Sequence, residues 1–353
     1  MHAKIKILVM VLGVGFIAFG FTQGAWASNF YVPLGAAGQV AEIDSDSYRI
    51  KRLIGGFANA HGLGISTDGK FLYVGSLVES TEANPSRPVG VSEADHAAHH
   101  GGGSGSAASK NNSVSFITRV EIQKGTVAKR INVERFTHHV AVTPDGAHVI
   151  GVQSGAQRIV VIDARTDKVV RYVQVGKAPN YAAVSSDGRT VYVSNSGSGT
   201  ISVLDSRSWT EKSRIPVGKG PEHILLSRDG RRLYVVNTQS DELSVVDTGT
   251  LRELKRVPTG KQPHGIGEDF ASGRLAVANT GADSVSVYDL NGGALSTFSL
   301  APQPYHVEIG PNGSDILISS RAIGKIWVIS GANLNVAKII ELPGIGHQIA
   351  YVR

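Results

Sequence analysis

Histidine is placed along this sequence in a way that points to coordination chemistry. Seven short stretches share a local pattern that ends in a pair of positions: His61-Gly62, His138-His139, Asn180-Tyr181, Glu222-His223, His264-Gly265, Tyr305-His306 and His347-Gln348. These 14 positions hold seven of the 12 histidines (His61, His138, His139, His223, His264, His306 and His347), where chance placement would put fewer than one. Neutral imidazole is a good ligand for Cu(II), Zn(II) and Ni(II), and an all-nitrogen set favours copper by the usual affinity order. The candidate metal ligands are therefore these seven, with copper the first choice of ion. Clustered imidazoles also repel one another when protonated, so a metal-free cluster is expected to show depressed pKa values. The competing reading is that the rings fill a wide channel mouth and bond to water and backbone. Because neighbouring strand positions face opposite ways, some second-position histidines are then expected to pack away from the channel.

The positions recur because the sequence does. Taking the first member of each pair as the marker, the steps between copies are 77, 42, 42, 42, 41 and 42 residues, and the first equals one repeat plus an insert of 35. A period near 42 denotes a repeat architecture. Within each copy, short runs such as Val191-Tyr192-Val193 and Ile201-Ser202-Val203-Leu204 have strand periodicity. Asp-Gly or Asn-Gly separates the first two runs (Asp68-Gly69, Asp145-Gly146, Asp187-Gly188, Asp229-Gly230, Asn312-Gly313), where a tight turn calls for positive φ. Four strands per repeat make one blade, so the expected fold is all-β: a seven-bladed propeller. Residues 30–55 read as three strands lacking a first, and His347–Val352 reads as a first strand with nothing after it. Together they complete one blade and close the ring.

Residues 1–27 stand outside this pattern. Lys4 and Lys6 precede an apolar run from Ile7 to Phe21, and Ala25-Trp26-Ala27 has the form of a signal peptidase site. The expectation is a signal peptide followed by one domain over 28–353, periplasmic or secreted, with no membrane span once the leader is removed. The chain has no Cys, and its two Met residues, Met1 and Met10, lie in the leader, so disulfides and sulfur-ligated metals are excluded from the remainder. The net charge of +6 is spread over the repeats without a basic stripe, which argues against nucleic acid. The insert, residues 76–112, is low in complexity and carries His96, His99 and His100. It joins the second and third strands of its blade, which places it on the same face as the markers. Asp163, Asp205, Asp247 and Asp289 read as strand terminators, and Arg321 replaces a small polar residue on the marker face.

The run P-x-H-x-x-x-S-x-D-G-x-x-x-Y-V-x-N, present in Pro221–Asn237, resembles the repeat of YVTN-type propeller proteins over essentially the whole chain after the leader. The histidine set, with one adjacent pair, is similar to that of the nitrous oxide reductase propeller, and that resemblance implies a multinuclear copper site at the seven positions. Such a reductase also has a second domain with Cys and Met ligands, for which this chain has neither length nor sulfur. Three functions are compatible with these features. One is a copper-binding propeller in redox chemistry or metal handling. Another is a non-enzymatic module for a periplasmic protein or envelope partner. The third is a metal-dependent lactonase or lyase, with Glu222 or Glu308 beside His223 and His306 as the acid–base pair. No Ser-His-Asp constellation or phosphate loop is present. If the leader reading is right, intact-mass measurement of protein recovered from the cell envelope gives a chain starting near Ser28; a species that retains Met1 overturns it.

Overall fold

The computed structural model describes residues 29–80 and 113–351, so the leader, insert residues 81–112 and the last two residues lie outside it. Seven four-stranded antiparallel sheets form the ring. Blade 1 is assembled from both ends of the chain: Ala350–Tyr351 is its inner strand, and Asn29–Leu34, Gln39–Asp44 and Ile50–Gly55 follow outward. Blades 2 to 7 begin with the inner strands Ala60–Ile65, His139–Val142, Pro179–Val184, Pro221–Leu226, Pro263–Asp269 and Pro304–Ile309. The ring and its closure are as the repeat implies. Among the described residues, the closing strand pairs regularly at Phe30↔Tyr351 and Tyr31↔Ala350, with an isolated Leu34↔Gly346 bridge before it; Val352, the expected end of the strand, lies outside them. Among the described residues, no helix is long and apolar enough to cross a membrane.

The core lies between blades. The second and third strands of a blade are buried on both faces, as in Arg232–Asn237 and Glu242–Asp247, because a neighbouring sheet covers each side. The outer strands, such as Thr210–Pro216, are mostly exposed. Seven apolar clusters result, one per interface; Phe30, Val32 and Ile43 of blade 1 meet Leu317, Ile326 and Val328 of blade 7, and Tyr31 and Val40 meet Leu63, Leu72 and Val74 of blade 2.

Turn chemistry sets the register. In the Asp-Gly turn of blade 4, Asp187 Oδ1 accepts from Arg189 N at 3.0 Å and Ser185 Oγ at 2.6 Å, while Gly188 takes φ +70°. Asp205 caps the next turn through Arg207 N and Ser208 N, confirming the terminator role. Asn195 ties blades together. Its Oδ1 accepts from Gly176 N, and its Nδ2 donates to Thr200 Oγ1 and Ser202 Oγ. A Cβ on Gly176 would lie 2.6 Å from Asn195 Cγ, which explains why Gly recurs at 176, 218 and 260.

Deleting residues 347–353 removes Ile349, fully buried in the cluster shared with blade 7, and Ala350 from the one shared with blade 2. One buried Ile is worth about 1.5–3 kcal/mol, and the deletion also bares a sheet edge. Thermal melting is expected to drop by roughly 10 °C or more; a drop of only a degree or two would contradict closure by this strand.

Candidate functional site

In five of the seven blades the inner strand begins with a β-bulge, whereas that of blade 3 pairs regularly from His139 onward. In blade 4, Pro179 pairs with Asn195 but Ala182 pairs with Val193, so one residue is extra. The same shift occurs between Ala60 and Leu63, Pro221 and Ile224, Pro263 and Ile266, and Pro304 and Val307. A bulge breaks the two-residue alternation and re-aims side chains. In those five blades the shift re-aims the side chains at the head of the strand toward the axis. The space they enclose is lined by His138, His139, Tyr181, His223, His347 and Gln348 together, contrary to the alternation expected from sequence. The gaps total about 170 Å³ and none admits a water molecule, so this end is packed with side chains.

Two layers result. In the first, His347 and His61 have ring centroids 3.7 Å apart, and His61 and His138 4.5 Å. His138 Nδ1 donates to the Asn180 carbonyl at 3.1 Å. Further round, Glu222 Oε2 lies 2.6 Å from His264 Nδ1. Tyr305 stacks flat on His264, with centroids 3.9 Å apart and planes 3° from parallel, and its hydroxyl lies 3.2 Å from His347 Nε2. In the second layer His139 stacks on Tyr181, Tyr181 touches His223, and His223 meets His306 edge-on across the gap left by Gly265. A Cβ at Gly265 would sit 2.3 Å from the Tyr305 carbonyl oxygen, so glycine is required there.

The second layer also joins the blades. His139 Nδ1 accepts from Ala182 N, His306 Nδ1 from Ile349 N, and Gln348 exchanges two bonds with the Leu63 backbone, in each case on the following blade. Ser194 and Ser319 perform a matching task one strand out. Ser194 Oγ accepts from Tyr181 N and donates to the Glu222 carbonyl; Ser319 Oγ accepts from His306 N and donates to the His347 carbonyl. Bulged backbone groups cut off from water thus keep partners.

All seven histidines are brought together, each no more than 8% exposed. Burial lowers the pKa of His139 to about 3 and holds His223 and His306 well below the usual imidazole range, where neighbouring histidines push further the same way. Burial also raises Tyr305 far above the usual phenol value, so it stays protonated. Among the described residues, no three His, Asp or Glu side chains already present their donor atoms to one point as a metal would require. His96, His99 and His100 lie outside the described residues. Of the two carboxylates expected at an acid–base pair, Glu222 is buried in the first layer but partners His264 of the next blade, not its sequence neighbour His223. Glu308 is half-buried, two positions beyond the layers, and accepts from Ile309 N. Tyr305, a marker position, takes its place in the first layer, and Arg321, the departure noted on the marker face, has its guanidinium 5.4 Å from the Tyr305 ring centroid. The signal was the 42-residue step itself, since first positions of consecutive blades abut.

The profile of the family described as lactonase, seven-bladed β-propeller, matches residues 79–291, more than half of the chain. The chain belongs to that family. No curated protein matches it. Among solved structures it is similar to the periplasmic gluconolactonase of Pseudomonas aeruginosa (TM-score 0.68, 17% identity, 92% of this chain and 99% of that one). It is also similar to a provisionally assigned 6-phosphogluconolactonase of Bacteroides fragilis (0.71, 14%, 94% and 99%) and to Kuenenia stuttgartiensis hydrazine synthase (0.66, 15%, 91% and 100%). At these identities the shared feature is the propeller fold. The resemblances to YVTN-type repeats and to nitrous oxide reductase stay at the level of repeat motif and histidine count.

The depressed histidines fix a pH dependence of stability. Unfolded imidazole titrates near 6.5, whereas the folded rings titrate far lower, so below about pH 6.5 the unfolded chain binds more protons and stability falls; above it nothing is lost. Each such histidine contributes up to about 1.4 kcal/mol per pH unit in that window. Denaturant midpoints of the metal-free protein should hold between pH 8 and 7 and drop steeply between 6 and 5; a flat profile would show that the rings are solvated.

Proposed function

We propose that the protein is a lactonase that opens a cyclic sugar-acid ester with water, using the Glu222–His264 pair. The observation that carries the reading is this carboxylate–imidazole contact of 2.6 Å, with both side chains 3% exposed, in a member of the lactonase propeller family. The gluconolactonase and 6-phosphogluconolactonase names of similar structures support a sugar lactone as the substrate class.

The chemistry follows from the pair. In the proposed mechanism Glu222, whose Oε2 lies 2.6 Å from His264 Nδ1, holds the ring proton on that nitrogen and leaves Nε2 as the basic one. Tyr305, flat against the imidazole, holds its plane. Because both side chains are 3% exposed, the reaction requires the packed side chains at this end to part and admit lactone and water. His264 Nε2 then takes a proton from water as the oxygen adds to the lactone carbonyl. When the tetrahedral intermediate collapses, the ring C–O bond breaks and the imidazolium returns that proton to the departing alkoxide. The product is the hydroxy acid, and the Glu222 charge stabilises the transient imidazolium. Tyr305, held as a phenol, is a donor beside this centre.

The test is hydrolysis of glucono-δ-lactone and its 6-phosphate, followed by pH-stat against the spontaneous rate. Glu222→Gln and His264→Asn should each lower kcat by about 100-fold or more, with circular dichroism unchanged. A wild-type rate no faster than the uncatalysed reaction on either lactone overturns the proposal.

A further inference from the structure

We propose that the outer strand of blade 6, Ala294–Ser299, pairs antiparallel with the same strand of a second copy of this chain, joining two rings edge to edge about a two-fold axis. The strand is the outermost of its sheet, so one row of its backbone N–H and C=O groups has no neighbouring strand among the described residues. Such a row is a template for another strand unless the protein guards it, and a basic side chain on the edge is a common guard. The outer strands of the other six blades are guarded in this way, by Lys51, Arg130, Arg171, Lys212, Arg256 and Lys338. Blade 6 is the exception. Its strand reads ALSTFS, and the 13 residues from Asn291 to Gln303 contain no Asp, Glu, Lys or Arg.

Charge decides what covers this edge. A two-fold antiparallel pairing sets a strand against itself, and like charges placed opposite one another are destabilising. The blade 6 strand is the outer strand that can pair with its own copy in any register without meeting a like charge. An acidic partner, by contrast, would find a better match on the basic outer strands of the other blades. The side chains suit the same occupant. Leu295 is 55% exposed, more than any other large apolar side chain among the described residues, and Ala294, Ser296 and Thr297 are exposed beside it. Toward blade 5 the strand borders a groove of about 300 Å³ lined by Pro258, Thr259, Tyr288, Ala294 and Thr297, with no charged group in its lining. A pairing centred on Thr297 places Thr297 opposite its copy and Ser296 opposite Phe298, and covers Leu295 in both rings. The nearby cation, Lys255, approaches the chain at Gly292, beyond the end of the paired stretch. A ladder of six residues is a small interface, so association is expected in the micromolar range or weaker.

The pairing stands independently of the lactonase reading, because association is measured without substrate. Sedimentation velocity of the full chain recovered from the cell envelope should show a monomer–dimer equilibrium between micromolar and millimolar concentration. Thr297→Lys and Thr297→Glu should each weaken dimerisation by about 10-fold or more, while an equal mixture of the two variants should associate at least as well as the parent, with thermal melting unchanged throughout. Because the chain has no Cys, Thr297→Cys reports the contact directly: mild oxidation should link it into a dimer, whereas Lys212→Cys, on the outer strand of blade 4, should stay unlinked. A dimer that neither charge variant weakens overturns the proposal. So does a parent that stays monomeric throughout, which would leave the open edge to an extended segment of a different protein.

Discussion

Closure of the ring rests, among the described residues, on the pairing of Phe30 and Tyr31 with Tyr351 and Ala350. Blades are sheets packed face to face, and each buries its apolar side chains only because a neighbour stands on either side. A ring open at one place would lose one of its seven cores, and the closing strand itself contributes to two of them, Ile349 toward blade 7 and Ala350 toward blade 2. The short pairing is sufficient because it locks the last interface, not because its own hydrogen bonds are strong. It also sets the width of the axis. With seven blades in place, first-position side chains of neighbouring blades touch, and His347 meets His61.

The way the head of each inner strand is paired then decides what the axis contains. In five blades an extra residue at the head of the inner strand breaks the two-residue alternation, and the end of the channel is filled by two layers of polar rings. Packing so many imidazoles out of water is costly unless their nitrogens and the bulged backbone find partners. The second layer meets that demand by bonding to the backbone of the following blade, and Ser194 and Ser319 bridge a bulged N–H to the next marker carbonyl. The polar centre is thus part of what holds the blades in register. Its chemistry and its structural role cannot be separated: the Glu222–His264 contact joins blade 5 to blade 6 as well as forming an acid–base pair.

The repeat step, the turn residues and the split blade were legible in the chain because each depends on local chemistry that one residue type performs best. Asp187-Gly188 makes its turn by a side-chain acceptor and a positive φ, and both properties belong to the residues themselves. The family relationship agrees with this, since a seven-bladed ring of such repeats is what the lactonase propellers share. Partnership at the site was harder to read. Glu222 is followed by His223 in sequence, yet its partner is His264, 42 residues on. A repeat places equivalent positions side by side, so the relevant neighbour is one period away rather than one residue away.

The sequence alone determined the seven-fold count, the ends of the strands and the gathering of the histidines at one end of the ring, because periodicity and turn geometry are properties of short segments. Only the tertiary structure decided which side chains of each pair face the axis, which rings touch, and which groups stay neutral. Those outcomes depend on the bulge register and on the distance between neighbouring sheets. That distance is set by all seven interfaces at once and is encoded in no single repeat.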